Sequence, residues 1–333
     1  MIVFRCIAVF GAIALKAMAY YPTEYDEALE RIAFGSCNRE SLPQPIWPII
    51  AANDPDLWIW MGDNIYGDSK DPAVIQKKYN LQFTKPNYAS FRTQYPVIGT
   101  WDDHDYGWNN ADRSYPIKSQ TRDLTLEFME VPKTDPRWSR EGLYGTYTFG
   151  PTGQQVRVIL LDGRYFSTKP KQPDSDLLGP EQAAWLEQIL ATSNAQIHLI
   201  VSGIQILPEE HKYEKWANYP ASRTWLLETL AEYSTPGVIF LSGDRHIHEI
   251  SQLSVDGHSN PLTEITSSGL THSWETFKGE PNTKRIGEVH TGKGFGILHF
   301  DWQKSSVSVR AELRNIENSV VNSVELSVPI ADR

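Results

Sequence analysis

The sequence predicts an α/β (α+β) protein: a buried sheet with helices on its faces, followed by an antiparallel region. Three observations carry that expectation. Short runs of β-branched and aliphatic residues recur between helical segments. Each run stops at a glycine or a polar turn. The last stretch of the chain alternates apolar and polar residues at a period of two.

In chain order, a polar helical stretch after Tyr20 leads to Arg31-Ile32-Ala33-Phe34, a strand ending at Gly35-Ser36-Cys37-Asn38. Asp56 to Met61 is a second strand, ending at Gly62-Asp63-Asn64. Val97 to Trp101 runs into Asp102-Asp103-His104-Asp105, and Val156 to Leu161 ends at Asp162. Pro180 to Leu190 reads as a helix, its proline suited to the first turn. Leu199 to Gly203 and Gly237 to Gly243 are two more buried strands, the second delivering Asp244-Arg245-His246. Phe295 to Trp302, Ser305 to Arg314 and Val320 to Val328 read as three antiparallel strands expected to close a second sheet against the first. No linker, repeat or composition step divides residues 20–333, so a single domain is expected.

At 333 residues the chain is long enough to bury a substantial core. Its net charge of -10 and scattered basic residues argue against a nucleic-acid surface. An acidic protein that handles an anionic substrate must offset its own field locally, and bound cations do so.

Residues 1–19 read as a signal peptide: Arg5, an apolar run from Cys6 to Leu15, and Ala17-Met18-Ala19 as a cleavage site. The apolar run is well short of the ~20 residues that span a bilayer, and no later segment is a transmembrane candidate. The expectation is a secreted or periplasmic protein, processed near Ala19. Cys6 then leaves with the leader, so Cys37 has no disulfide partner. It is a buried small hydrophobe, a metal thiolate or a nucleophile.

Ligand-type side chains follow strand ends repeatedly, the edge where α/β sheets build their sites. Asp63 follows Gly62, which lets the backbone turn tightly. Three carboxylates and a histidine within Asp102 to Asp105 would repel one another in one apolar pocket. They must point in different directions or meet a cation. Asp244 and His246 are two positions apart, a spacing that suits chelation.

Phe34-Gly35-Ser36-Cys37, Gly62-Asp63-Asn64-Ile65-Tyr66, Trp101 to Asn110 and Ser242-Gly243-Asp244-Arg245-His246 occur in an order that resembles the alkaline phosphatase D (PhoD-like) family of metallophosphatases. Leu178-Gly179-Pro180-Glu181-Gln182-Ala183-Ala184-Trp185-Leu186 also looks like that family's Leu-Gly-x-x-Gln-x-x-Trp-Leu helix. The resemblance implies a four-layer αββα sandwich and a metal-dependent phosphoric-ester hydrolase holding Fe(III) and Ca²⁺. It implies Cys37 as an iron ligand, Asp63 as the bridging carboxylate and Tyr66 as a phenolate on iron. Asp103 and Asn109 would lie on the calcium side, with Asp244 and His246 completing the set. Thiolate and phenolate suit Fe(III), and carboxylate and amide oxygens suit a hard ion. Where many metallophosphatases have a further histidine, this chain has Gln205.

The expected chemistry is in-line attack on a phosphate monoester or diester by a hydroxide activated at the cations. His104, Asn64 and Arg245, with Arg39, are the candidates for holding the phosphoryl group or protonating the leaving oxygen. Trp108, Trp216 and Trp274 are candidates for substrate contact. A monomer is expected. Two other readings stand beside this one: a glycoside hydrolase using the Asp102 to Asp105 carboxylates, and a non-catalytic secreted binding module.

Overall fold

The computed structural model describes residues 26–255 and 260–330, so the expected leader at 1–19 lies outside the described residues. The elements in order are β1 (Arg31–Gly35), α1 (Ile46–Ala51), β2 (Leu57–Met61), α2 (Pro72–Phe83), α3 (Pro86–Arg92), β3 (Val97–Thr100), α4 (Asp103–Tyr106) and α5 (Lys118–Phe128). They continue with β4 (Gly145–Phe149), β5 (Val156–Leu160), α6 (Gly179–Ala191), β6 (Ile197–Ser202), α7 (Pro220–Glu232), β7 (Val238–Ser242), β8 (His248–Leu253) and β9 (Leu262–Ser267). β10 (Arg285–His290), β11 (Gly294–Trp302), β12 (Ser306–Asn315) and β13 (Val320–Pro329) complete the strands among the described residues.

Two mixed sheets result, ordered β13-β12-β11-β1-β2-β3 and β10-β8-β9-β7-β6-β5-β4. Strands β1, β2 and β3 run parallel, as do β5, β6, β7 and β9. Their C-terminal ends therefore gather at one edge of each sheet.

The period of two decides the layers. From β1 and β2, Ile32, Phe34, Ile59 and Met61 face Val158, Leu199, Val201 and Leu241 of the other sheet. The intervening Trp58 and Trp60 turn outward and pack with Trp47, Tyr88 and Phe91 of α1 and α3. On the opposite side, Ile200 and Phe240 pack under Leu186 of α6 and Leu226 and Leu230 of α7. The four layers are helix, sheet, sheet, helix, as expected. Trp47 meets Trp58 edge-on at 5.0 Å, a geometry that adds to its area burial.

Two expectations are corrected. Residues 26–30, the described part of the polar stretch before β1, are irregular and not helical. The three C-terminal strands do not build the second sheet. β11 pairs antiparallel with β1, Ile32 opposite Leu298, and so extends the first sheet. The second sheet is assembled from β4 to β10.

Candidate metal centre

Four strand ends converge. Cys37 follows β1, Asp63 follows β2 and Asp103 follows β3, while Asp244 and His246 follow β7. Cys37, Asp63, Asp244 and His246 all lie in the left-handed region, at φ of 58, 50, 61 and 54°. Each such residue costs about 1–2 kcal/mol, so four together indicate strain concentrated where side chains must be aimed. Gly62 has φ +92°, and a Cβ there would meet Cβ of Asp102 at 2.4 Å. Only glycine lets the β2 turn lie against the β3 turn.

The four polar residues after β3 do point in different directions. Asp102 accepts from Nε of Arg164 at 2.7 Å, and Arg164 also pairs with Glu214 at 2.7 Å, all three being buried or nearly so. Asp103 turns into the site, with the Asn110 amide donating to it at 2.6 Å. His104 meets Asp68 through Nδ1 at 2.6 Å and stacks on Tyr66 at 4.2 Å. Asp105 accepts from the amides of Asn64 and Ile65 at 2.9 and 3.0 Å, fixing the turn that aims Asp63.

Asp162 organises from behind. It accepts from Trp101 Nε1 and from the amides of Leu143, Arg164 and Tyr165 at 2.8–2.9 Å. Gln182 of α6 clasps the backbone of Asp162 through both its amide atoms at 2.8 Å. That contact accounts for the glutamine in the Leu-Gly-x-x-Gln pattern.

At the centre, the Tyr66 hydroxyl donates to Asp63 at 3.1 Å, and Sγ of Cys37 lies 3.5 Å from the same carboxylate oxygen. The hydroxyl also lies 3.1 Å from Nε2 of His246 and 2.9 Å from Nε2 of His272. Ligand atoms of Cys37, Asp63 and His246 lie within 4.8 Å of one another, as do those of Asp63, Asp103 and His104, and of Asp102, Asp103 and Asp244. Asp63 belongs to two of these groups and Asp103 to two. This is how adjacent cations sharing a carboxylate would be held.

The electrostatics support that fit. Burial, with the charges of Cys37 and Asp103, pushes the Asp63 carboxyl well above the carboxylate range. Burial and the charges of Asp103, Asp102 and Asp63 do the same to Asp244. The Cys37 thiol is pushed up to about 12 by burial and by Asp244. These groups crowd as anions only if a cation compensates them. Oδ1 of Asp63 is wholly buried and has no hydrogen-bond partner, as a ligand oxygen would. Burial and the neighbouring His104 and Arg245 charges hold His246 down to about 4, leaving its imidazole neutral and able to ligate.

The remaining candidates divide. His104, Asn109, Arg245 and Trp274 line a cavity of about 560 Å³ above Asp244 and His246. Asn109 is exposed at its rim. Arg39 is exposed, its guanidinium 4.6 Å over the Tyr66 ring. Asn64 is buried and is not among the residues lining the cavity, its side-chain amide donating to the Thr100 carbonyl at 3.0 Å. Gln205 is likewise buried, donating to Glu249 at 2.7 Å and Thr266 at 2.8 Å. Trp216 is a core residue bonded to Ser202, and Trp108 packs on Tyr115 outside the cavity. His272 was missed in the sequence. It follows β9, whose run Leu262-Thr263-Glu264-Ile265-Thr266-Ser267 is too polar to read as a buried strand.

Comparison with known proteins agrees with this architecture. A family model described as PhoD-like phosphatase matches residues 32–293. The alkaline phosphatase D of Bacillus subtilis (strain 168) is 24% identical over 299 residues, covering 71% of this chain and 51% of that protein. The chain thus spans about half the length of that curated relative. A solved structure of PhoD superposes with a TM-score of 0.69 at 18% identity, covering 91% of this chain and 69% of the other. A purple acid phosphatase from yellow lupin (Lupinus luteus) seeds gives 0.67 at 16%, covering 92% and 55%. These two likenesses establish the metallophosphatase fold. With the family model matched from β1 through β10, the chain belongs to the PhoD-like phosphatase family.

Proposed function

We propose that this chain is an exported, metal-dependent phosphoric-ester hydrolase that holds Fe(III) and Ca²⁺ at the strand ends. The observation that carries this reading is the unpartnered, buried Asp63 oxygen between two ligand groups. Cys37, Tyr66 and His246 would hold the iron beside Asp63, a donor set of thiolate, phenolate and imidazole that suits that ion. Asp103, Asn109 and Asp244 would hold the calcium on its other side. When bound, such cations polarise the phosphoryl oxygens and lower the pKa of water.

The chain's own residues do the rest. Arg245 lines the cavity with its guanidinium fixed by Glu280, in position to donate to a phosphoryl oxygen. His104 also lines it. Burial opposes protonation of His104, but Asp68 and Asp103 outweigh it and hold the pKa above the ordinary value, so it can give a proton to the leaving oxygen. Tyr66 is held rigidly between His104 and His272.

The glycosidase reading loses its pair, because Asp102 is engaged with Arg164 and Asp105 with backbone amides. Export rests on the sequence at 1–19. No helix among the described residues is long and apolar enough to cross a membrane.

Hydrolysis of nitrophenyl phosphate and of bis-nitrophenyl phosphate, before and after chelation and metal restoration, tests the proposal. Turnover lost to the chelator and restored by metal is the expected result. Turnover indifferent to chelation would overturn it.

A further inference from the structure

The cavity is larger than the reacting phosphoryl group requires. About 560 Å³ falls within the ~300–1,000 Å³ typical of small-molecule sites. Asp244 and His246 line it, and so do Pro170, Lys171, Lys212, Tyr213 and Asn218.

In a chain of net charge -10, the other cation lining the cavity and those buried behind it already have partners. Arg164 is bound to Asp102 and Glu214, and Arg245 to Glu280. The Lys215 ammonium is buried against the carbonyls of His211 and Tyr213 and Oδ1 of Asn218. Lys171 and Lys212 are exposed, and among the described residues neither forms an ion pair.

The chain around them is nevertheless held, Lys212 lying between the two residues whose carbonyls accept from Lys215. Lys171 donates its amide to the Asn218 carbonyl at 2.8 Å, joining its loop to the segment that Lys215 clamps. Burial, with the charges of Lys171 and Arg245, lowers the pKa of Lys215, showing how positive its surroundings are. Tyr213 and Trp274 meet edge-on at 5.5 Å and give the cavity lining an apolar surface.

We propose that Lys171 and Lys212 form a subsite for a second anionic group. The preferred substrates are then phosphoric esters whose leaving group carries a further phosphate or carboxylate. This rests on the hydrolase reading for the identity of the first group. The lysines act on binding and leave the reacting centre untouched, so KM changes and kcat does not.

The test is calorimetric titration of the metal-loaded full chain with alkane bisphosphonates of two to six carbons and with alkyl monophosphonates of matching length. At least one bisphosphonate should bind about tenfold more tightly than its monophosphonate, an advantage that shrinks as salt rises. The Lys171→Ala/Lys212→Ala variant should lose the advantage and keep its monophosphonate affinity, and Lys212→Glu alone should weaken the bisphosphonate further than Lys212→Ala. Equal affinities in the unaltered protein, or an advantage that survives both substitutions, would overturn the subsite. Nitrophenyl phosphate turnover by the same samples reports separately on the hydrolase reading. A lysine-dependent advantage without turnover upholds the subsite and removes hydrolysis, and turnover without an advantage removes the subsite.

Discussion

Arg164, which follows β5 in one sheet, donates to Asp102, which follows β3 in the other, at 2.7 Å with both side chains buried. The pair joins the two sheets at the end where the site is built, and Glu214 extends it to the cavity wall. Replacing Arg164 with methionine strands two buried carboxylates, so stability should fall by about 3–5 kcal/mol. Urea denaturation measures this, and a loss below ~1 kcal/mol would show that the pair does not join the sheets.

Gly62→Ala places a Cβ 2.4 Å from that of Asp102, at a φ of +92°. The β2 turn has to move, and Asp63 moves with it. A stability loss of about 1–3 kcal/mol is expected, with activity falling by at least about tenfold. Unaltered kinetics would show that Asp63 tolerates displacement.

Asn64 and His104 should separate cleanly. Asn64→Ala leaves the Thr100 carbonyl without its donor inside the protein and should cost about 1–3 kcal/mol of stability. His104→Asn should change stability little but lower kcat by about 10²-fold if it protonates the leaving group. The loss should be smaller for nitrophenyl esters, whose leaving group needs less help. A variant pair with the opposite pattern would reverse the two roles.

His198 of β6 is buried far from the site, its Nδ1 donating to the Pro236 carbonyl at 2.9 Å and its Nε2 accepting from the Ser193 hydroxyl at 2.7 Å. Burial holds it down to about 4 from an ordinary 6.5. Between these values the unfolded chain takes up a proton that the folded chain refuses. Its contribution to stability is complete above pH 6.5, declines as pH falls toward 4, and is constant below. The change is on the order of 3 kcal/mol. Denaturation at pH 7.5 and 4.5 should show a larger drop for the unaltered protein than for His198→Gln, and equal drops would contradict the linkage.

How much of this was legible in the sequence depends on burial. Cys37, Asp63, Asp103, Asp244 and His246 could be placed because each follows an apolar run ending in a tight turn. The roles of Tyr66 and of Asn109 as ligands came from the family resemblance. His272 escaped because β9 is polar: Glu264 is buried there, accepting from the amides of Ile206 and Leu207. A strand stabilised by such bonds leaves no hydrophobic signature. Asn64 turns to the Thr100 carbonyl, a backbone contact that the sequence beside a ligand does not reveal. The C-terminal strands were found, but alternation reveals a strand's faces and not its partner. Only the pairing of β1 with β11 sets which sheet they join.

The central claim is that a cation pair sits on Cys37, Asp63 and their neighbours. Elemental analysis of the purified protein beside its Cys37→Ser variant tests it most directly. The account predicts stoichiometric iron and calcium in the first, with iron and most of the activity lost from the second. Full activity from a metal-free protein, or iron retained without the thiol, would contradict it.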